Sequence, residues 1–88
     1  MEEQLLEDLI NKSRHKVVGT KQTLKAIENE EAYKVFIAGD AEEKVLRPVK
    51  TACEEKGLDL QQVESMVRLG KMFGIKVKAA AAAILKEA

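Results

Sequence analysis

Residues 19–25 read Gly-Thr-Lys-Gln-Thr-Leu-Lys and follow the apolar pair Val17 and Val18. A glycine that closes a strand lets another backbone come close. The first amides of a helix starting there point outward unpaired, with about half a positive charge from the helix dipole. Lys21, Gln22 and Lys25 stand at i, i+1 and i+4, so their side chains project toward one patch beside Gly19. Lysine offers charge to phosphate or donates to guanine acceptors, and glutamine donates and accepts at a base edge. A plain strand-to-helix corner needs Gly19 and Thr20 but has no use for those three polar side chains together. The chemistry in view is the binding of an anion or a base edge, with a purely structural corner as the competing reading.

The charge distribution bears on that choice. Net charge is zero, with 15 basic and 15 acidic residues, which by itself argues against a nucleic-acid partner. Segment 12–27 nevertheless holds Lys12, Arg14, Lys16, Lys21 and Lys25 without an acid, and segment 65–86 holds Arg68, Lys71, Lys76, Lys78 and Lys86 without one. Acids gather elsewhere, at Glu28, Glu30 and Glu31, at Asp40, Glu42 and Glu43, and at Glu54 and Glu55. If the two basic segments meet in space, a neutral chain presents one positive and one negative face; otherwise they are solvated surfaces.

Several elements must hold these residues in place. Leu5, Leu6, Leu9 and Ile10 form an amphipathic stripe that predicts a helix over 3–14. A short strand ends at Gly19, and Thr20 is expected to cap a helix running to about Asn29. Residues 33–39, β-branched and aromatic, predict a strand. Asp40 opens the next turn, and a helix is expected over about 42–56, stopped by Gly57. Pro48 favours a short turn before it and the main helix after it. A strand over 58–63 and a helix capped by Ser65 and ended near Phe73 and Gly74 follow. The tail is ambiguous: its alanines favour helix, Ile75 to Lys78 alternate as a strand does, and a run of small residues also suits a central strand closely crossed by helices. Alternating strands and helices give an α/β domain, and 88 residues fit one domain with one core.

Catalysis finds little support, since His15 and Cys53 are the only histidine and thiol and neither has a partner at a useful spacing. His15 reads as a solvated residue and Cys53 as a small core residue, with no disulfide available. Asp40, Glu42 and Glu43 could hold Mg²⁺ but fit better as a helix cap and dipole partners. No cofactor is implied. The acidic N-terminus is unlike a signal peptide and the longest apolar run, residues 79–85, is too short for a bilayer, so a cytoplasmic protein without a membrane partner is expected.

The order "GTKQTLK", "VFIAGDAEEKVL", "CEEKGL" and "VESMVRLGKMFGIKVKAAAAAI" resembles the kink-turn RNA-binding ribosomal protein family, an archaeal large-subunit ribosomal protein with eukaryotic relatives and short bacterial homologues. The resemblance is strongest to the bacterial members, spans about 16–86, and leaves residues 1–14 mostly outside. It implies a three-layer α-β-α sandwich with a small four-stranded mixed sheet, in which the alanine run is strand. The family's corner is glycine, a small residue, asparagine, glutamate, two variable residues and lysine, matched here by Gly19, Thr20, Lys21, Gln22 and Lys25. The resemblance implies that the polar pair reads guanines of tandem sheared G·A pairs, with Lys21 and Gln22 in place of asparagine and glutamate. It implies that Glu42 and an apolar neighbour, Leu46 or Val45, hold a flipped-out nucleotide. The "SMVRLG" stretch adds Met66, where lysine is common, and Arg68. The loop before the last strand adds Ile75, Lys76, Val77 and Lys78 for bulged nucleotides. Expected partners are structured RNA containing a kink-turn, ribosomal or riboswitch-like, and further ribonucleoprotein components, with the protein itself a monomer. The alternative is a protein-interaction module, using the acidic face and the first helix, with only nonspecific electrostatic affinity for RNA.

Overall fold

The computed structural model describes residues 2–13 and 15–86, so Arg14 of the first basic segment and the Leu6 side chain of the expected stripe lie outside the described part. The elements in chain order are α1 (Glu2–Lys12), β1 (Lys16–Val18), α2 (Thr20–Glu28), β2 (Ala32–Ala38), α3 (Glu43–Lys56), β3 (Leu60–Val63), α4 (Met66–Met72) and β4 (Ala81–Leu85). The strands form one sheet in the order β1-β4-β2-β3. β4 runs antiparallel to both neighbours, and β2 and β3 run parallel through the α3 crossover, which makes the sheet mixed.

Alternation along the central strands builds two cores. Val35, Ile37, Ala81 and Ala83 face one way and pack with Ile27 of α2 and Leu46, Val49 and Cys53 of α3. Phe36, Ala38, Ala82 and Ile84 face the other way and pack with Ile10 of α1 and Leu69 and Met72 of α4. This is the three-layer sandwich. The alanines of β4 explain why strand wins over helix there: Ala81, Ala82 and Ala83 are fully buried between two strands and two helical layers, where larger side chains would hold the layers apart. Phe36 and Phe73 meet edge to face at a centroid distance of 5.4 Å.

Four local expectations are corrected. The cap of α2 is Gly19 rather than Thr20, which already lies inside the helix, and no side chain caps this end. α3 is continuous through Pro48, which lies on the exposed side of the helix with Lys44 one turn before it. Leu5 is 69% exposed, so it stands off the expected stripe, while Ile10 is buried and Leu9 half-buried. β3 begins at Leu60, two residues later than expected. Gly57 ends α3 in the left-handed conformation at φ 66°, and Ser65 caps α4 by accepting from the Arg68 amide at 3.1 Å, as expected. Cys53 is buried, which pushes its thiol up to about 11.

Candidate nucleic-acid interface

The sheet register gathers four chain corners at one end. β1, β2 and β3 leave the sheet there at Val18, Ala38 and Val63, and β4 enters there at Ala81. Hydrogen bonds tie the corners together: Gly19 N–H donates to Ala81 O at 2.8 Å, Ala38 N–H to Ala80 O at 2.9 Å, and Gly39 N–H to Val63 O at 2.7 Å. The Gly19 corner, the turn opening α3, the start of α4 and the loop before β4 therefore adjoin one another.

At the first corner Thr23, Ala26 and Ile27 are buried, and this anchored face of α2 forces Lys21, Gln22 and Lys25 outward, where all three are exposed. Gly19 has φ 111° and ψ 146°, a conformation that side-chain-bearing residues rarely adopt, and nothing lies within 4 Å of where its Cβ would stand. The backbone here is open to a ligand, and Thr20 beside it is partly exposed.

The neighbouring corners are unequal. Glu42 is exposed at the residue before α3, in extended conformation and without the side-chain cap bond expected of it, while Leu46 is 3% exposed and belongs to the core. Of the two apolar candidates beside Glu42, α3 turns Leu46 inward and leaves half-buried Val45 nearer the surface. Met66 and Ile75 are partly buried against the second core. Arg68 is half-buried, whereas Lys76, Val77 and Lys78 are exposed, Val77 by 69%. Gly70 of α4 lies directly against the Val77 carbonyl, which fixes how the loop stands on the helix.

Two residues at this end had no sign in the sequence spacing. Asp40, on the turn opening α3, accepts from the Met66 amide at 2.8 Å, so it caps α4, 26 positions away, rather than its own helix. Val67 is 55% exposed on the turn of α4 before Gly70. An apolar residue on a helix's polar side is the one trace it leaves in sequence.

The charges resolve the paradox of a neutral chain. Glu43 pairs with Lys50 at 3.1 Å and Arg47 at 4.0 Å, and Glu30 with Lys56 at 3.7 Å. Among the described residues, Lys21, Lys25, Lys76 and Lys78 have no carboxylate within ion-pair distance. Glu30, Glu42 and Glu43 thus each have a basic neighbour, whereas these four lysines at the gathered corners have no acidic partner among the described residues. The two basic segments meet only in part: Lys16, opening β1, and Lys86, just past β4, stand at the opposite end of the sheet. An apolar hollow of about 330 Å³ lined by Leu9, His15, Tyr33, Ile84 and Lys86 also lies at that far end, away from Lys21, Lys25, Lys76 and Lys78. Among the described residues no group of three or more His, Cys, Asp or Glu could hold a metal ion, and no helix is long and apolar enough to cross a membrane.

The chain is similar to several known proteins. An RNA-binding protein of Caldanaerobacter subterraneus subsp. tengcongensis is 53% identical over 68 residues, 77% of this chain and 83% of the relative. RNA-binding protein YbxF of Geobacillus stearothermophilus is 43% identical over 70 residues, 80% of this chain and 85% of the relative. The solved 15.5kD RNA binding protein of Giardia lamblia superposes with a TM-score of 0.83 at 25% identity, covering 99% of this chain and 77% of that one. The model of the Ribosomal protein L7Ae/L30e/S12e/Gadd45 family matches residues 3–88, so α1 lies inside the match and not outside it as the motifs alone implied, and the chain belongs to that family.

Proposed function

We propose that this protein is an RNA-binding protein that recognises kink-turn RNA, a duplex bent sharply at tandem sheared G·A pairs, and holds it in the bent form. The observation that carries the reading is the gathering of Lys21, Gln22, Lys25, Lys76 and Lys78 at one end of the sheet, exposed and without acidic partners among the described residues. A bent RNA crowds its phosphates, and unpaired lysines that neutralise them release counterions on binding. Lys21 and Gln22 suit the O6 and N7 acceptors of guanine, and the open backbone at Gly19 admits a base edge. Val45, Val67 and Val77 offer apolar surface to unstacked nucleotides, with Glu42 exposed next to Val45. The protein binds and does not catalyse, in keeping with its family.

Free kink-turn RNA exchanges between extended and bent forms, and a protein that binds only the bent form shifts the population by its differential affinity. The protein would act as a single cytoplasmic domain and a monomer, on ribosomal or regulatory RNA. The test is energy transfer between dyes on the two arms of a kink-turn RNA. Transfer is expected to rise on titration with protein and to stay flat for the same RNA with its G·A pairs made Watson-Crick. Equal responses would reduce the protein to nonspecific electrostatic binding and favour an interaction module instead.

A further inference from the structure

We propose that Asp40 is a positioning residue for RNA selectivity, acting as the link that sets the α4 side of the interface against the α3 side; the proposal rests on the kink-turn reading above. Its carboxylate accepts from the Met66 amide at 2.8 Å across 26 residues of chain. Met66 passes the constraint on, because its carbonyl accepts from Ala79 N–H at 3.0 Å, at the end of the loop that carries Lys76, Val77 and Lys78. On the other side Asp40 sits two residues before Glu42, and its neighbour Ala41 donates to Ala38 O at 3.2 Å, which holds the turn to the end of β2. One side chain thus joins the turn that presents Glu42 and Val45 to the helix and loop that present Arg68 and Val77.

The electrostatics make this position informative. Asp40 is exposed beside surfaces meant for phosphate, where a carboxylate weakens RNA binding in proportion to charge and irrespective of base sequence. α4 already has one cap in Ser65, which accepts from the Arg68 amide at 3.1 Å. An acid that opposes the ligand and supplies a second cap to a seven-residue helix is accounted for by its bridge from the α3 turn to α4, a side-chain link added to the Gly39–Val63 and Ala38–Ala80 backbone bonds.

The experiment measures affinity for intact kink-turn RNA and for its Watson-Crick counterpart at fixed salt, and reports the ratio. Lost charge raises both affinities together and cancels in the ratio, whereas lost positioning lowers only the first. Asp40→Ala is expected to lower the ratio by about tenfold, the scale of one good base contact. Asp40→Asn, which keeps an acceptor oxygen for the Met66 amide, is expected to tighten binding to both RNAs and retain the ratio. Ser65→Ala removes the other cap of α4 but no link to α3, so it should lower thermal stability and leave the ratio standing. Amide hydrogen exchange without RNA should speed up over residues 75–79 in Asp40→Ala and not in Ser65→Ala. An unchanged ratio in Asp40→Ala, or an equal fall in Ser65→Ala, overturns the proposal. A wild-type ratio of one overturns the kink-turn reading and this proposal with it, whereas a high wild-type ratio unmoved by Asp40→Ala overturns the proposal alone.

Discussion

Gly70→Ala opposes two effects whose balance the structure decides. Gly70 lies inside α4, where alanine is favoured over glycine by about 1 kcal/mol. A Cβ at Gly70, however, would press into the Val77 carbonyl oxygen, with Val77 C at 3.2 Å and Lys78 Cα at 3.4 Å behind it. Carbon and oxygen rest about 3.3 Å apart even in favourable contacts, so the loop must retreat by on the order of 1 Å. All three atoms are backbone, which cannot rotate aside, and Ala79, one residue on, is tied to Met66 by its amide. Overpacking costs about 1–3 kcal/mol, and a contact this short against backbone takes the upper half of that range, so after the helix gain a net loss of about 1–2 kcal/mol remains. For a domain of this size each kcal/mol moves Tm by about 4–8 °C, so calorimetry should find a drop of roughly 5–15 °C. Gly39→Ala is the contrast: its Cβ would meet the Gln62 amide nitrogen at 2.8 Å, the far end of a flexible side chain that can swing away, so its Tm should move much less. A Gly70→Ala protein as stable as the native one would refute the reasoning, because the loop could then stand off the helix without cost.

The burial difference between Val45 and Leu46 separates binding from stability: Leu46→Ala should cost about 2–5 kcal/mol in denaturant unfolding, whereas Val45→Ala should leave stability near native and weaken kink-turn affinity. Cys53 imposes a pH dependence of known sign. Its thiol holds its proton up to about 11 when folded, against 9.0 unfolded, so above pH 9 the unfolded chain binds fewer protons and stability falls from pH 9 to about 11. Cys53→Ala should lose that slope relative to the native protein in pH-dependent urea melts. The same burial predicts that a thiol reagent at pH 8 labels Cys53 only at the rate of unfolding.

Local signals were legible where a single residue governs the backbone. Gly57 in the left-handed conformation and Ser65 accepting from Arg68 ended and began helices as their types require. β2 announced itself through branched and aromatic residues that fill both cores. The fate of Ala81, Ala82 and Ala83 was not legible from propensity, because what decides it is the closeness of two helical layers, a property of the packed molecule. The family resemblance supplied what propensity could not. At the interface, Lys21, Gln22 and Lys25 were readable from helical spacing, since burial of Thr23, Ala26 and Ile27 leaves them one direction to point. Which of Val45 and Leu46 faces outward is not legible, because adjacent positions on a helix differ by about 100° in facing, so a shift of one residue exchanges core for surface. The roles of Asp40 and of Lys16 and Lys86 depend on which chain ends the sheet brings together, and no spacing within a segment carries that information.

The central claim is that the Gly19 corner reads G·A pairs in a bent RNA. The direct measurement is a salt series of dissociation constants for intact and Watson-Crick-substituted kink-turn RNA, with native protein, Lys21→Ala and Gln22→Ala. The account predicts a marked preference for the intact RNA and a loss of about 1–3 kcal/mol of it in each variant. It also predicts that the salt slope shrinks by about one unit in a lysine variant that loses a phosphate contact, such as Lys76→Ala, and stays constant in Gln22→Ala. Equal affinity of the native protein for both RNAs, or full preference in both corner variants, would contradict it.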